Sequence, residues 1–303
     1  MFAATVCNAQ VVLWDGEGKE VGSDGGFWNR ANPTVVEEED GNKVMKFTTQ
    51  AQTGDWDKEH CNAALPLGDV DFKGLRRLTM RVKMGLNHNV MVKLGKDGDG
   101  GFSTPRWFWC GTQNEWNILT FEFAAGPDND KIGDTGNTVL EIWPFEDGGD
   151  ALANLGQTFY IDDIKMEGTL VDGKAVRTCA DNSLTGDVVV TGVIGKGNYQ
   201  NTWDGDWHQE SYDDYALLAQ KLAAGATSLD VRGAGHWDED WDVIKAKCPN
   251  IKIILTDDDA TAIEAVRTVG TAAGEIYTIG GQRCKDMSAK GLYIVNGRKV
   301  IRM

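Results

Sequence analysis

The chain has 303 residues, of which 41% are hydrophobic and 25% charged, proportions that indicate a folded protein with length for two domains. No apolar run approaches the roughly 18 residues that a membrane helix needs. The formal net charge is -16, from 30 Lys and Arg against 46 Asp and Glu. This excess of acid argues against nucleic acid or an anionic membrane as a partner. The 11 Trp against 4 His favour binding by stacking over acid and base chemistry.

The first ten residues, MFAATVCNAQ, are typical of the end of a secretory signal. Cys7 and Ala9 would be the small residues that precede cleavage before Gln10, and the alternative is an ordinary N-terminus. Without Cys7 the cysteine count is odd, which excludes a complete disulfide framework, and no Cys-x-x-Cys spacing indicates zinc. We therefore expect residues 1–9 to be a signal remnant and the protein to be secreted.

The first half of the chain, up to about residue 168, consists of short alternating stretches separated by Gly, Asn and Asp. This pattern predicts an all-β sandwich or barrel of about ten strands. The predicted strands are residues 11–14, 34–36, 44–48, 61–64, 77–83, 90–94, 106–110, 117–123, 139–143 and 159–166.

The second half has a different pattern. The segment SYDDYALLAQKLAAG predicts a helix with Ser211 as its N-cap, Asp214 three residues later and an end at Gly225. A strand at TSLDV, a helix near 238–247, a strand at IKIIL and a helix near 260–269 follow. Because alternating strands and helices favour parallel pairing, we expect a small α/β domain with its boundary between residues 168 and 188.

The end of the chain returns to a β pattern. In IVNGRKVI, Asn296 and Gly297 separate two β stretches, which is a strong hairpin signal because both turn positions need a positive φ. A small β appendage is therefore expected at the C-terminus.

The segment TPRWFWCGTQNEW contains three adjacent aromatic residues in a predicted strand. Side chains alternate along a strand, so Trp107 and Trp109 share one face while Phe108 and Cys110 share the other. If Phe108 and Cys110 pack inward, the two Trp rings lie on an outer face where sugar rings can stack. In the alternative, both Trp residues belong to the core and Phe108 is exposed.

Three stretches of the first half, LPLGDVDFKGLRRLTMRVKM, EWNILTFEF and TFYIDDIKMEG, resemble carbohydrate-binding modules with a galactose-binding-like jelly roll. The segment GATSLDVRGAGHWDEDWDVIKAKCPNIKIILTDDD is similar to leucine-rich-repeat-like domains of surface proteins exported by type IX secretion. The segment from 275 to 303 is similar to the C-terminal tails of such proteins.

Together with the N-terminal signal pattern, these resemblances imply a mainly β protein in four parts that is secreted or attached to the outer cell surface. A signal remnant at residues 1–9 precedes a β-sandwich glycan-binding module of the jelly-roll type at 10–168. A small α/β leucine-rich-repeat-like domain at 169–274 and a sorting-type β hairpin tail at 275–303 follow. The implied ligand is a neutral polysaccharide, most simply of plant cell-wall type, and the implied protein is not an enzyme.

Further candidate ligand-binding residues lie outside the aromatic strand. Trp56 lies among charged residues, and Trp143 precedes Pro144 and Phe145, so both rings are candidates for stacking. The residues nominated for hydrogen bonds to sugar hydroxyls are Asn62, Lys93 and Gln113. In NTWDGDWHQESYDDY, the two Trp residues either contact glycan or, as we expect, cover the helix that follows.

The jelly-roll resemblance also implies one structural calcium between the loop after the first strand and the last strand. The hard oxygen ligands would be Asp15, Glu17 and Asp163, and the alternative is that these acids are simply solvated.

Catalysis has weaker support. The acidic runs HWDEDWD and TDDDA are explained by helix starts, where carboxylates are favourable. A glycoside hydrolase with carboxylates not yet located, or a structural adhesion protein without a glycan ligand, is the alternative function.

Overall fold

The computed structural model describes residues 10–16, 28–29, 34–38, 41–49, 63–68, 70–96, 101–103, 105–123, 132–144, 155–201, 206–257, 259, 276–278, 283–284, 291–295 and 298–302. The chain forms two compact units, Met1–Ile253 and Ile254–Met303. In the described parts, no helix is both long and apolar enough to cross a membrane.

One sheet of the first unit runs in the order β10, β6, β12, β4, β3, and β1 pairs with the second half of β12. Its strands are β1 (Gln10–Trp14), β3 (Thr34–Glu37), β4 (Lys43–Thr48), β6 (Arg77–Met84), β10 (Asn117–Glu122) and β12 (Thr158–Glu167). The pairs are antiparallel.

The second sheet runs in the order β17, β16, β9, β7, β11, β5, β2, and the short strand β8 pairs with β7. Its strands are β2 (Trp28–Asn29), β5 (Ala63–Pro66), β7 (His88–Lys96), β8 (Gly101–Phe102), β9 (Arg106–Cys110), β11 (Val139–Trp143), β16 (Lys196–Asn201) and β17 (His208–Asp213). The ten predicted strands of the first half are therefore confirmed, with small differences at their ends.

The core lies between the two sheets. Alternate residues of β6 and β10 face those of β7 and β11 and are fully buried, which is the two-residue period expected of a sandwich. The rings of Phe47 and Phe159, on paired strands of the first sheet, stack with centroids 5.2 Å apart. The predicted fold class, a mainly β protein built on a β-sandwich, is confirmed.

A third sheet of the first unit runs in the order β14, β13, β15, β18, β19. Its strands are β13 (Thr169–Val171), β14 (Lys174–Ala175), β15 (Leu184–Ile194), β18 (Leu222–His236) and β19 (Lys252–Ile254). Strands β15 and β18 are parallel, as the alternation of strand and helix predicts. The domain boundary near residue 168 stays a prediction, because residues 169–253 belong to the same compact unit as the sandwich.

Two short helices accompany this sheet, α1 (Asp214–Lys221) and α2 (Trp241–Lys247). The N-cap of α1 is Asp213, whose carboxylate accepts the N–H of Ala216 at 2.9 Å. The prediction of Ser211 as the cap is wrong, because the strand β17 continues through Ser211 and the helix begins only after it. The predicted helix near 260–269 lies outside the described residues.

The sandwich and the α/β segment are joined by a buried ion cluster. Arg77 of β6 is 1% exposed, and its Nη2 lies 2.8 Å from Oδ2 of Asp214, the first residue of α1. The same Nη2 is 3.6 Å from Oε2 of Glu122 on β10, and the guanidinium lies over the ring of Tyr212. Burial lowers the pKa of Arg77, but the two carboxylates outweigh that effect and raise it.

The second unit contains a fourth sheet in the order β21, β20, β22, β23. Its strands are β20 (Ile276–Thr278), β21 (Arg283–Cys284), β22 (Gly291–Val295) and β23 (Arg298–Arg302). Val295 pairs with Arg298, so the hairpin predicted around Asn296 and Gly297 is confirmed.

Candidate functional site

Strand β9 has the first of the two orientations considered from the sequence, with Phe108 and Cys110 pointing toward the core. Cys110 is fully buried in the core, and Phe108 packs against the core with its ring 6.2 Å from that of Phe121. Trp107 and Trp109 therefore lie on the outer face of the second sheet. The alternative, in which Phe108 is the exposed ring, is wrong.

A row of side chains crosses this outer face at right angles to the strands. Trp143 of β11 pairs with Met91 of β7, and Met91 pairs with Trp107 of β9. The row continues through Gln200 of β16, which pairs with Trp107, to Gln209 of β17. We call this the transverse row, and it brings together two of the predicted aromatic residues, Trp107 and Trp143, which pack with Met91 in one buried cluster.

The ring of Trp207 covers part of Trp107. The two ring centroids are 4.6 Å apart with planes inclined by 56°, and Trp107 is only 6% exposed. The indole N–H of Trp107 is buried and has no hydrogen-bond partner among the residues that the structure describes. The expectation that Trp207 covers the following helix is wrong, because the hairpin of β16 and β17 carries it onto the sandwich face instead.

Two indole rings on this face are half exposed. Trp109 is 55% exposed and Trp207 is 51% exposed, which is unusual for side chains of this size. Asn89 pairs with Trp109 across the strands, and the His88 ring lies 6.4 Å from the Trp109 ring. Trp109 thus stands on a hydrogen-bonded sheet beside polar side chains, and Trp207 directly precedes strand β17.

Lys93 and Glu141 occupy facing positions beside the transverse row. The carboxylate of Glu141 accepts the indole N–H of Trp143 at 3.1 Å, and the Lys93 ammonium lies 4.9 Å from the centre of the Trp143 ring. Trp143 is only 8% exposed. Its ring therefore packs within this face and offers little surface for a sugar to stack on. In the described part between β11 and β9, the outward charges are this one cation and this one anion, so their sum is zero.

Of the remaining predicted ligand-binding residues, the structure describes Gln113. Gln113 is exposed in the turn after β9, so it lies at the end of the sheet and not on its face. Trp56 and Asn62 lie outside the described residues. The predicted set therefore comes together in part, as Trp107, Trp109, Trp143 and Lys93.

The contribution of β16 and β17 to this face was not predicted from the sequence. Their sequences, KGNYQN and HQESYD, alternate exposed and covered side chains on either side of a Gly- and Asp-containing loop. That alternation is a hairpin signal. The segment was instead predicted as a loop, because a helical pattern follows it directly. The pairing of Gln200 with Trp107 cannot be predicted from any local pattern, because it joins strands about 90 residues apart.

The predicted calcium ligands lie where β1 ends beside β12. Trp14 pairs with Ile164, which brings Asp15 toward Asp163. The buried acid is Asp162, and its carboxylate accepts from the Asn42 side chain at 2.9 Å.

The Nη1 of Arg81 lies 3.3 Å from Asp162 and 3.5 Å from Asp163, so a guanidinium already compensates these charges. Glu17 lies outside the described residues. Within the described residues, no three His, Cys, Asp or Glu side chains form a group that could hold a metal. The calcium ion stays a prediction.

The acids of HWDEDWD have structural contacts. Asp240 accepts from the Lys196 ammonium at 2.7 Å, Glu239 accepts the indole N–H of Trp241, and Asp242 lies in the first turn of α2. Each contact is of the kind that stabilises a helix start or the sheet beside it. These residues therefore form no pair of carboxylates across a cleft in the described structure.

Comparison with known proteins gives low similarities. A family 11 carbohydrate-binding module from Clostridium thermocellum, solved with a mixed-linkage β-1,3-1,4 tetrasaccharide, is 15% identical with a TM-score of 0.36, over 52% of this chain and 95% of that one. A family 29 carbohydrate-binding module variant complexed with mannohexaose is 11% identical with a TM-score of 0.34, over 52% and 89%.

An exo-β-agarase is 14% identical with a TM-score of 0.38, over 51% of this chain and 24% of that one. No family model and no curated protein matches the chain. At these scores and identities the similar structures identify neither a family nor a ligand for this protein.

Proposed function

We propose that the outer face of the second sheet binds a neutral polysaccharide by aromatic stacking and that the protein acts without catalysis. The observation that carries the proposal is the half-exposed ring of Trp109 on a hydrogen-bonded sheet, beside Asn89 and two residues along β9 from Trp107 of the transverse row. Sugar rings present C–H faces that stack on indole, and amide side chains hydrogen-bond hydroxyl groups. In the described part of this face, the outward charges between β11 and β9 sum to zero. This balance favours a neutral ligand over an anionic one.

The proposal also includes the cellular location of the protein and the source of its ligand. We infer that it is secreted or attached to the outer cell surface and that its ligand is of plant cell-wall type, in line with the sequence resemblances. A protein with formal net charge -16 would not be drawn to acidic polysaccharide by long-range attraction. A calcium ion near Asp15 and Asp163 would act as a structural clamp and takes no part in recognition.

Affinity electrophoresis tests the proposal. Native gels containing xylan, mannan, xyloglucan or mixed-linkage glucan are compared with a gel lacking polysaccharide. We expect at least one polysaccharide to retard the wild type and Trp109→Ala to lose most of that retardation. Ile118→Ala is the matched control, because Ile118 is 69% exposed on the outer face of the other sheet. Equal retardation of Trp109→Ala and Ile118→Ala would place binding elsewhere, and no retardation of the wild type would contradict the proposal.

A further inference from the structure

The hairpin of β16 and β17 extends the second sheet beyond the sandwich strands. It comes from the segment after residue 168, yet β16 pairs with β9 and continues the same sheet. We propose that this hairpin forms additional sugar-binding subsites, so that a neutral oligosaccharide lies across the strands from the Trp109 region onto Trp207. The inference rests on the proposed function and adds the direction and length of the site.

The first argument is the position and exposure of Trp207. Its ring touches the ring of Trp107, which fixes it on the same outer face as Trp109, and half of its surface remains open to solvent. In a hairpin with solvent around it, an indole of this size would ordinarily be turned against the core. Trp207 is instead held partly exposed, next to the row that leads to the sandwich.

The second argument is the chemistry of the hairpin surface. Asn198 and Gln200 are exposed on β16, and Gln209 and Ser211 are exposed on β17. Asn198 pairs with Ser211 and Gln200 with Gln209, so amides and a hydroxyl form two adjacent polar pairs on the outer face. These groups donate and accept hydrogen bonds without charge, which suits the hydroxyl groups of a neutral sugar.

An unpartnered donor also lies on this face, next to the hairpin. The indole N–H of Trp107 is buried and, among the described residues, has no hydrogen-bond partner. Buried donors are nearly always paired, so this N–H is open to an acceptor that lies beyond the described residues or arrives with a ligand. A sugar hydroxyl crossing from β9 to β16 would be an acceptor of the right kind.

The arrangement also determines how many sugar rings the site can bind. Neighbouring strands lie about 4.8 Å apart, so β17 is roughly 10 Å beyond β9, enough for about two further sugar rings. Affinity should therefore rise with chain length until the oligosaccharide reaches the hairpin. A site confined to the sandwich would reach its full affinity with a shorter ligand.

The test is calorimetric titration of the full chain with cello-, manno-, xylo-, xyloglucan and mixed-linkage gluco-oligosaccharides from disaccharide to hexasaccharide. For the wild type we expect the hexasaccharide of the preferred series to bind about tenfold more tightly than the trisaccharide, the change that one aromatic contact of ordinary strength gives. Trp207→Ala should lose this gain while it still binds the trisaccharide. Trp109→Ala should weaken binding at every length.

Two further variants keep the result unambiguous. Trp207→Ala also uncovers Trp107, so a second variant is needed that does not. Gln200→Ala removes a hairpin amide, leaves the cover of Trp107 in place, and should also reduce the gain in affinity with oligosaccharide length. Trp207→Phe keeps a ring and should retain most of it. If Trp207→Ala and Gln200→Ala bind every length as the wild type does while Trp109→Ala is weakened, the hairpin inference is overturned and the proposed function stands. If the wild type binds none of the series, both are overturned.

Discussion

The exposure of Trp109 follows from the alternation of a single strand. Cys110, its neighbour, is fully buried, and burial raises the pKa of the Cys110 thiol to about 11. A buried thiol with so little thiolate near neutral pH should react slowly with alkylating reagents. The reactivity of Cys110 therefore reports which face of β9 is turned inward.

We predict that iodoacetamide at pH 8 leaves Cys110 unmodified in the folded protein and modifies it fully in urea. Cys179, which is only partly buried, serves as the internal reference and should be labelled in the folded state. Peptide mass spectrometry after timed labelling gives both rates. Rapid labelling of Cys110 in the native protein would mean that β9 is turned the other way and that Trp109 belongs to the core.

A second residue-scale prediction concerns Glu167 at the end of β12. Burial raises the pKa of Glu167 and outweighs the attraction of Lys165 and Arg77. The folded protein therefore holds this proton more tightly than the unfolded chain does. As the pH rises from the unfolded pKa of about 4.3 through the raised folded value, the charged Glu167 progressively destabilises the fold.

The variant Glu167→Gln lacks this titration. We expect its unfolding free energy, relative to the wild type, to be greater at pH 8 than at pH 4, measured by urea unfolding at both values. A constant difference between the two proteins would show that the pKa of Glu167 is not raised. The opposite trend would mean that its contacts with Lys165 and Arg77 outweigh burial.

At the scale of elements, the sandwich and the α/β segment meet through Arg77, Glu122 and Asp214. Removing one partner of a buried ion pair leaves a charge without compensation and costs about 3–5 kcal/mol. We predict a loss of that size in unfolding free energy for Arg77→Leu. The double variant Arg77→Leu with Asp214→Asn should lose less than the sum of the two single changes.

The neighbouring Arg76 offers a matched control. Its Nη1 lies 2.8 Å from Asp134, but the Asp134 side chain is half exposed, so Arg76→Leu should cost at most about 1 kcal/mol. Urea unfolding of the wild type and the four variants, Arg77→Leu, Asp214→Asn, their double variant and Arg76→Leu, decides the matter. Equal losses for Arg76→Leu and Arg77→Leu, or additive effects in the double variant, would contradict the role given to the buried cluster.

The elements differ in how far local sequence determines them. The strands around Arg106 to Cys110 and Val139 to Trp143 were predictable because hydrophobic and polar residues alternate there with turn residues at both ends. The start of α1 was not, because Ser211 and Asp213 are both good caps and only the pairing of β17 decides between them. Similarly, the outward side of β9 could be inferred from its own residues, but the covering of Trp107 by a ring 100 positions later could not.

At the scale of the whole molecule, residues up to Ile253 form one compact unit although their sequence changes character near residue 168. The shared second sheet and the buried ion cluster both cross that point. We therefore predict that the sandwich and the α/β segment unfold together. Hydrogen exchange of the full chain in increasing denaturant should give the same opening free energy for peptides from β6 and from β18.

A lower opening free energy for β18 than for β6 would contradict this prediction. In that case the segment after residue 168 would be an independent domain, as the sequence resemblance implies. The hairpin of β16 and β17 would then be an attachment that can leave the sheet.

The central claim is that the outer face of the second sheet binds a neutral glycan through its exposed Trp109 ring. Its most direct test is calorimetric titration of the wild type and Trp109→Ala with the polysaccharide that gives the strongest gel retardation. We predict an affinity about tenfold weaker for Trp109→Ala, with an unchanged unfolding free energy, because the ring is half exposed and contributes little to the core. Equal affinity of the two proteins would contradict the claim.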